Sequence, residues 1–273
     1  MVTDCEQQAL LLNADLMGEH QAIVHYLTHA WTVVQQFGGS IEAIARDEMR
    51  HFKWLAHVIV AIGGVPDLTP PDWRPVFSGS EALDYDIHAE EEAISQYQAH
   101  RRDIADERIQ ALLARIVVDE EDHRRQFVAM RRDWTDVKSQ PDLPAEVRDV
   151  GGKFQALVST EYGRILQYLM QSFLSRHARE MGLDAEDRAI DEMKHLSWMA
   201  EAMAQVGLAP RLETTAAPVP AAQIYGAVRN WAVGSMPDLV PIVDRIMAHE
   251  EYQRTTRYDS PWTVGSAVQG GWG

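Results

Sequence analysis

The sequence predicts an all-α protein whose first half is a four-helix bundle. Three observations carry this prediction. Strand signals are nearly absent, helix-length apolar periodicities are separated by Gly and Pro clusters, and Glu-x-x-His occurs three times, each time inside such a periodic segment.

The elements follow in order. Helix 1 is expected from about Asp4 to Gln36, stopped by Gly38-Gly39, and helix 2 from an N-cap at Ser40 to Ile62, stopped by Gly63-Gly64. A Pro-rich segment, 65–79, leads to helix 3, from Ser80 to about Ala105, and helix 4 runs from Asp106 to Trp134. The very short turns between helices 1 and 2 and between 3 and 4 make antiparallel neighbours. The roughly 15-residue segment between helices 2 and 3 reaches about 50 Å, enough to run the length of a bundle and start helix 3 at the end where helix 2 starts. That long crossover divides bundle topologies, and it places this chain with those that carry one.

Residues 135–148, with Pro141 and Pro144, read as a linker between domains at 1–134 and 149–273. Helix 5 (about Val150 to Met181, ended by Gly182) and helix 6 (about Ala185 to Val206, ended by Gly207) replay helices 1 and 2. A Pro- and Ala-rich stretch, Ala216 to Ala222, precedes a short helix near Ile224 to Val233 and a longer one from Pro237 to about Tyr258. The last fifteen residues read as draped over the surface. On this reading the second half is an incomplete, three-helix bundle of helices 5, 6 and the last. Its open apolar seam would need a cover, from the first bundle, the short helix near Ile224 to Val233 or another copy of the chain; the first bundle, reinforced by a homodimer, is the cover expected.

The chemistry lies in the repeats. Asp47-Glu48-Met49-Arg50-His51 recurs as Asp191-Glu192-Met193-Lys194-His195, and Asp119-Glu120-Glu121-Asp122-His123 lies between them. On a helix, residues three apart differ by about 4.5 Å of rise and about 60° of turn, so Glu and His at that spacing converge beside the helix. A second pattern precedes each copy: Glu19-x-x-Ala22-Ile23-x-x-Tyr26, Glu90-x-x-Ala93-Ile94-x-x-Tyr97 and a weaker Glu161-x-x-x-Ile165-x-x-Tyr168. The interval is 29 residues from Glu19 to Glu48, 30 from Glu90 to Glu120 and 31 from Glu161 to Glu192. One Glu on each of two helices and a Glu-x-x-His on each of the other two is the ligand set of a di-iron or di-manganese centre inside a bundle.

Over residues 5 to 133 these motifs, Glu19-His-Gln-Ala-Ile-Val-His-Tyr26, Asp47-Glu-Met-Arg-His51 and Asp119-Glu-Glu-Asp-His123, resemble bacterioferritin within the ferritin-like superfamily. The resemblance implies a ferritin-like bundle with metal ligands Glu19, Glu48, His51, Glu90, Glu120 and His123. Glu90 is preferred to Glu91 and Glu92 because it alone keeps the Ala-Ile-x-x-Tyr register. Two iron ions would react with O₂ or H₂O₂, oxidising Fe(II) or a small substrate. Manganese in place of iron would make a catalase, an apolar pocket beside the iron an oxygenase, and a metal-stabilised scaffold is the non-enzymatic alternative. A cage for iron storage follows less readily, because a fused second domain would interfere with a shell of single bundles.

In the second half, His249-Glu250-Glu251 with Tyr258 mirrors His88, Glu90 and Tyr97. That makes Glu251 the counterpart of Glu90 and gives a half-site of Glu161, Glu192, His195 and Glu251. Met49 stands where bacterioferritins carry a haem-ligating methionine, and Met193 in the duplicate place; haem is nonetheless not expected as a cofactor, because related ferritin-like proteins share this string without haem and Met is a common core filler. Tyr26 is a candidate catalytic residue, with a hydrogen-bonded core hydroxyl as the alternative for both Tyr26 and Tyr97. Trp54 and Trp198 read as core. Asp47, Asp119 and Asp191 each precede a ligand Glu and can accept the free imidazole N–H of a histidine on the opposite helix.

Composition adds bounds. A formal charge of −16 argues against nucleic acid or an anionic membrane as partner and suits cationic cargo. The single Cys5 permits no internal disulfide. With neither a signal peptide nor an apolar run of about 20 residues, a soluble cytoplasmic protein is expected.

Overall fold

The computed structural model describes residues 4–72, 74, 78–135, 145–175, 179–214 and 221–255. The chain divides into two compact units, Met1–Gln140 and Pro141–Gly273. Among the described residues no helix is long and apolar enough to cross a membrane, and Cys5 is exposed and unpaired.

Unit 1 contains α1 (Asp4–Trp31), α2 (Gly38–Ala61), α3 (Gly79–Asp103) and α4 (Glu107–Asp133). α1 packs on α2 and α3 on α4 as hairpins, and the hairpins meet through α1 with α3 and α2 with α4. Helix 1 is shorter than expected: α1 ends at Trp31 and a 3-10 turn at Gln35–Phe37 runs straight into α2. Ser40 is therefore not the cap. Phe37 takes that place without a side-chain bond and packs its ring against Trp134. The other caps are local. Ser78 accepts from the Glu81 amide at 3.1 Å, and Asp106 accepts from Arg108 and Ile109 at 2.8 and 3.3 Å. α2 closes where Gly63 turns left-handed at φ 93°, with Gly64 N–H donating to Ile59 O at 2.8 Å. A side chain at Gly63 would be strained in that conformation.

The crossover runs alongside α1. Asn13 bonds Val65 O and Asp67 N at 3.0 and 2.8 Å, and the Thr69 and Asp72 backbones reach His20 and His25. The chain therefore travels parallel to α1 and starts α3 antiparallel to it. The core beneath it is apolar and closed, with Leu12, Leu16, Ile44, Leu55, Ile59, Leu83, Leu113 and Phe127 all at 1% exposure or less. Phe127 packs 4.9 Å from Tyr26. Phe127→Ala is expected to cost about 3–5 kcal/mol, read as a lowered denaturant midpoint.

Unit 2 contains α5 (Ala145–Leu174), α6 (Arg179–Gln205), α7 (Ala221–Ser235) and α8 (Val240–Thr255), with a 3-10 turn at Pro237–Leu239. Two boundaries differ from expectation. Helix already begins at Ala145 inside the expected linker, and Gly182 lies within α6 rather than ending α5. α5 stops instead at Ser175, whose hydroxyl donates to Gln171 O at 2.6 Å. The main correction concerns helix count. α7 packs on α5 and on α8, and α8 packs on α6, so α7 fills the seam that a three-helix reading left open. Covered within the unit, the seam gives no reason to expect a homodimer. Tyr258 and the chain end lie outside the described residues.

Candidate metal centre

Within α2, Glu48 Oε2 lies 3.1 Å from His51 Nδ1; within α4, Glu120 Oε2 lies 3.2 Å from His123 Nδ1. The i, i+3 spacing alone makes these pairs. Packing α2 on α4 merges them, with His51 Nδ1 3.0 Å from Glu120 Oε1 and His123 Nδ1 2.9 Å from Glu48 Oε1. Glu19 of α1 and Glu90 of α3 close the two ends at 3.6 and 3.9 Å from the same nitrogens. All six side chains are at most 4% exposed. Their donor atoms form two groups, Glu19/Glu48/His51/Glu120 and Glu48/Glu90/Glu120/His123, each with all ligand atoms within 4.8 Å of one another. Glu48 and Glu120 belong to both.

This donor set fits divalent cations. Each imidazole Nδ1 faces several carboxylate oxygens and has one hydrogen to give, so acceptors are in surplus. Glu19 Oε2, Glu48 Oε1 and Glu120 Oε1 are buried and accept no hydrogen bond. Orphaned buried carboxylate oxygens are expensive unless a cation meets them, and mixed carboxylate and imidazole donors suit iron, manganese or zinc.

The surrounding contacts hold this set in place. His51 Nε2–H donates to Asp119 at 3.2 Å, and His123 Nε2 stands 3.5 Å from Asp47, so each aspartate aims the Nδ1 of the opposite helix's histidine inward. Tyr26 donates to Glu90 Oε1 at 2.7 Å, and Tyr97 donates to Glu19 Oε1. The tyrosines thus serve the carboxylate of the opposite helix, not their own. Tyr26→Phe and Tyr97→Phe are each expected to weaken metal affinity about tenfold with the ion count unchanged, as measured by competition with a chromophoric chelator. Trp54 is only half-buried, its ring 5.7 Å from His51. Met49 is half-buried on α2, one residue off the Glu48/His51 face.

Two His–Asp pairs, one buried and one half-buried, are not read from the sequence. His29 meets Asp86 at 2.8 Å and His100 meets Asp15 at 2.7 Å, bracing α1 against α3 on either side of the Glu–Tyr bonds. The signal was present, since Asp15-Glu19-Tyr26-His29 recurs as Asp86-Glu90-Tyr97-His100 with every spacing kept.

Electrostatics follow from burial and crowding. Burial first, then Glu48 and Glu120, hold Glu19 and Glu90 well above the ordinary carboxylate range. Burial works against charge on His51 and His123, but the carboxylates around them prevail and raise both. Burial also opposes charge on Glu48, and His123 with His51 outweighs it, holding that carboxyl low. A cavity of about 190 Å³ between α1 and α3 reaches Glu19, Glu48, Glu90 and Glu120, and Gly18, Ala22, Ala89 and Ala93 leave it open.

Residues 9–136 match the family model described as a ferritin-like domain. The first half of the chain is a ferritin-like domain. A solved ferritin-like, diiron-carboxylate protein from Bacillus anthracis str. Ames is 28% identical over 48% of this chain and 99% of its own, with a TM-score of 0.45. BfrA from M. tuberculosis is 24% identical over 45% of this chain and 81% of its own, with a TM-score of 0.42. A comparison with curated proteins finds no match.

Outside the ferritin-like domain, unit 2 brings Glu161, Glu192, His195 and Glu250 within ligand distance of one another. Glu251, the expected fourth member, is exposed. The reason is how α8 packs. It packs on α6 as α4 packs on α2, so His249-Glu250-x-x-Gln253 stands where Asp119-Glu120-x-x-His123 stands, and Glu250 faces inward. One residue along a helix is about 100° of rotation, enough to send Glu251 outward. Trp198 is half-buried, its ring 6.0 Å from His195, and Asp191 pairs with Lys194 at 2.9 Å.

Proposed function

We propose that the ferritin-like domain holds two iron ions and oxidises Fe(II) or a small substrate with O₂ or H₂O₂. The observation that carries this reading is the pair of overlapping donor groups, one histidine each, sharing Glu48 and Glu120. Bound on these residues, two iron ions would supply electrons to the oxidant. The residues around them bind, orient and move protons. Asp119 and Asp47 fix the histidine tautomers, and Tyr26 and Tyr97 hold Glu90 and Glu19 in place. Tyr26 is thus a positioning residue, its hydroxyl committed to Glu90. Burial and the neighbouring carboxylates favour the protonated forms of Glu19 and Glu90, and a bound cation would favour their release of protons.

Cavity size favours a small oxidant. About 190 Å³ suits O₂, H₂O₂ or a hydrated ion and falls below the roughly 300–1,000 Å³ of pockets for organic ligands. We place the protein in the cytosol, in keeping with one exposed thiol and iron as substrate. Anaerobic loading with Fe(II), followed by O₂ or H₂O₂, tests the reading. Oxidant consumption coupled to iron oxidation, lost in His123→Ala, is the expected result; oxidant uptake no faster than that of free Fe(II) would overturn it. A purified chain rich in manganese that dismutates H₂O₂ without iron would point to the catalase instead. Protein produced with ample haem is expected to show no Soret band, because half-buried Met49 reads as a core filler.

A further inference from the structure

Unit 2 repeats half of the ferritin-like centre. Glu161, Glu192, His195 and Glu250 occupy the helix positions of Glu19, Glu48, His51 and Glu120, one of the two donor groups of unit 1. His195 is fully buried. Its Nδ1 faces Glu192, Glu250 and Glu161 at 3.1, 3.7 and 3.8 Å. Its Nε2 lies 2.6 Å from His249 Nδ1, as His51 Nε2 lies on Asp119. With Nε2–H donating to His249, Nδ1 stands among three carboxylates with at most one hydrogen to give, so acceptors are in surplus as in unit 1, an arrangement that suits a cation. Tyr225 of α7 donates to Glu161 Oε1 at 3.3 Å, as Tyr97 of α3 donates to Glu19.

The other half is gone. Gln253 stands in sequence where His123 would, and α7 begins at Ala221, after the position that would match Glu90. In its place is Arg164. It replaces Ala22, the small residue that keeps the cavity of unit 1 open, and it is the residue that breaks the third copy of the Glu-x-x-Ala-Ile pattern. Its guanidinium Nη1 lies 3.1 Å from Glu250, 3.3 Å from Glu161 and 4.0 Å from Glu192. The charges then balance for one ion. Four carboxylates in unit 1 match two divalent cations, whereas three carboxylates and one guanidinium in unit 2 leave two negative charges and match one.

We propose that unit 2 binds a single divalent cation on Glu161, Glu192, His195 and Glu250, with the Arg164 guanidinium standing permanently where the second ion of a dinuclear pair would lie. This rests on the two-ion reading of unit 1 only for the comparison, and the experiment separates the two. The full chain, stripped and dialysed against Mn²⁺, is counted by elemental analysis and examined by electron paramagnetic resonance. Three Mn²⁺ per chain are expected, one of them giving an isolated six-line signal. Glu48→Ala with His123→Ala, which disables unit 1, should leave one ion and that signal. In this background Glu250→Gln or His195→Ala should remove it with helicity unchanged, and Arg164→Met should tighten it about tenfold by removing a like charge. No ion in the unit 1 double variant overturns the proposal, and so does an ion that binds there only after Arg164→Met, which would make the arginine a plug. A double variant that still binds three ions would sink the reading of unit 1 instead.

Discussion

Glu48→Ala is expected to empty both metal positions of unit 1 at once, whereas Glu19→Ala should cost one. Glu48 is 1% exposed and is a member of both donor groups, while Glu19 is a member of one. Its two oxygens lie 3.1 Å from His51 Nδ1 and 2.9 Å from His123 Nδ1, so removing it withdraws a donor from each histidine's side. A cation present at 1,000 times its dissociation constant stabilises the folded state by about 4 kcal/mol, so two ions contribute about 8 kcal/mol. The thermal transition of unit 1 should therefore rise steeply with metal in the wild type, about half as much in Glu19→Ala and hardly at all in Glu48→Ala. Circular dichroism should show all three helical. Equal losses in the two variants would mean that Glu48 is not shared.

The second large effect is a reversal of pH dependence on metal loading. In the metal-free protein Glu19 and Glu90 are raised well above their ordinary value of 4.5 and His51 above 6.5. The folded chain then holds more protons than the unfolded one as pH rises through neutrality, and stability falls by about 1.4 kcal/mol per pH unit for each excess proton. Unit 2 acts in the same direction, because burial first, and then the neighbouring Glu161, pushes Glu192 up to about 8. His195 rises to about 9, its carboxylates outweighing burial. The stabilisation from Glu192 is lost between pH 4.5 and 8, and that from His195 between 6.5 and 9. Glu48 has the opposite sign, but its contribution is complete above its ordinary value of 4.5 and leaves the slope at neutral pH unchanged. Metal binding displaces these protons, so loaded protein should gain stability over the same range. Thermal melts at pH 6 and pH 9, with metal and with chelator, are expected to show slopes of opposite sign; parallel slopes would mean that the carboxylates and histidines do not exchange protons for ions.

Local spacing made much of this legible. Glu48 with His51, and Glu120 with His123, are pairs created by the helix itself, and the interval before each reports two helices that must bring Glu19 and Glu90 alongside. The aspartates before Glu48 and Glu120 were legible for the same reason. The second half was not. Reading Ile224 to Val233 as a spare helix made α8 a copy of α3, whereas the chain uses α7 in that role and turns Glu250 inward.

The sequence by itself determined the helices, the donor types and the spacing that points a Glu and a His at one spot, because these follow from a periodicity repeated every few residues. Only the tertiary structure decided which tyrosine serves which glutamate, that His195 leans on His249 rather than on an aspartate, and that Arg164 reaches three carboxylates. The Tyr26–Glu90, Tyr97–Glu19, His195–His249 and Arg164–Glu250 contacts join residues 54 to 86 positions apart, and which helix packs on which is set by burial of whole faces, a choice that no local motif encodes.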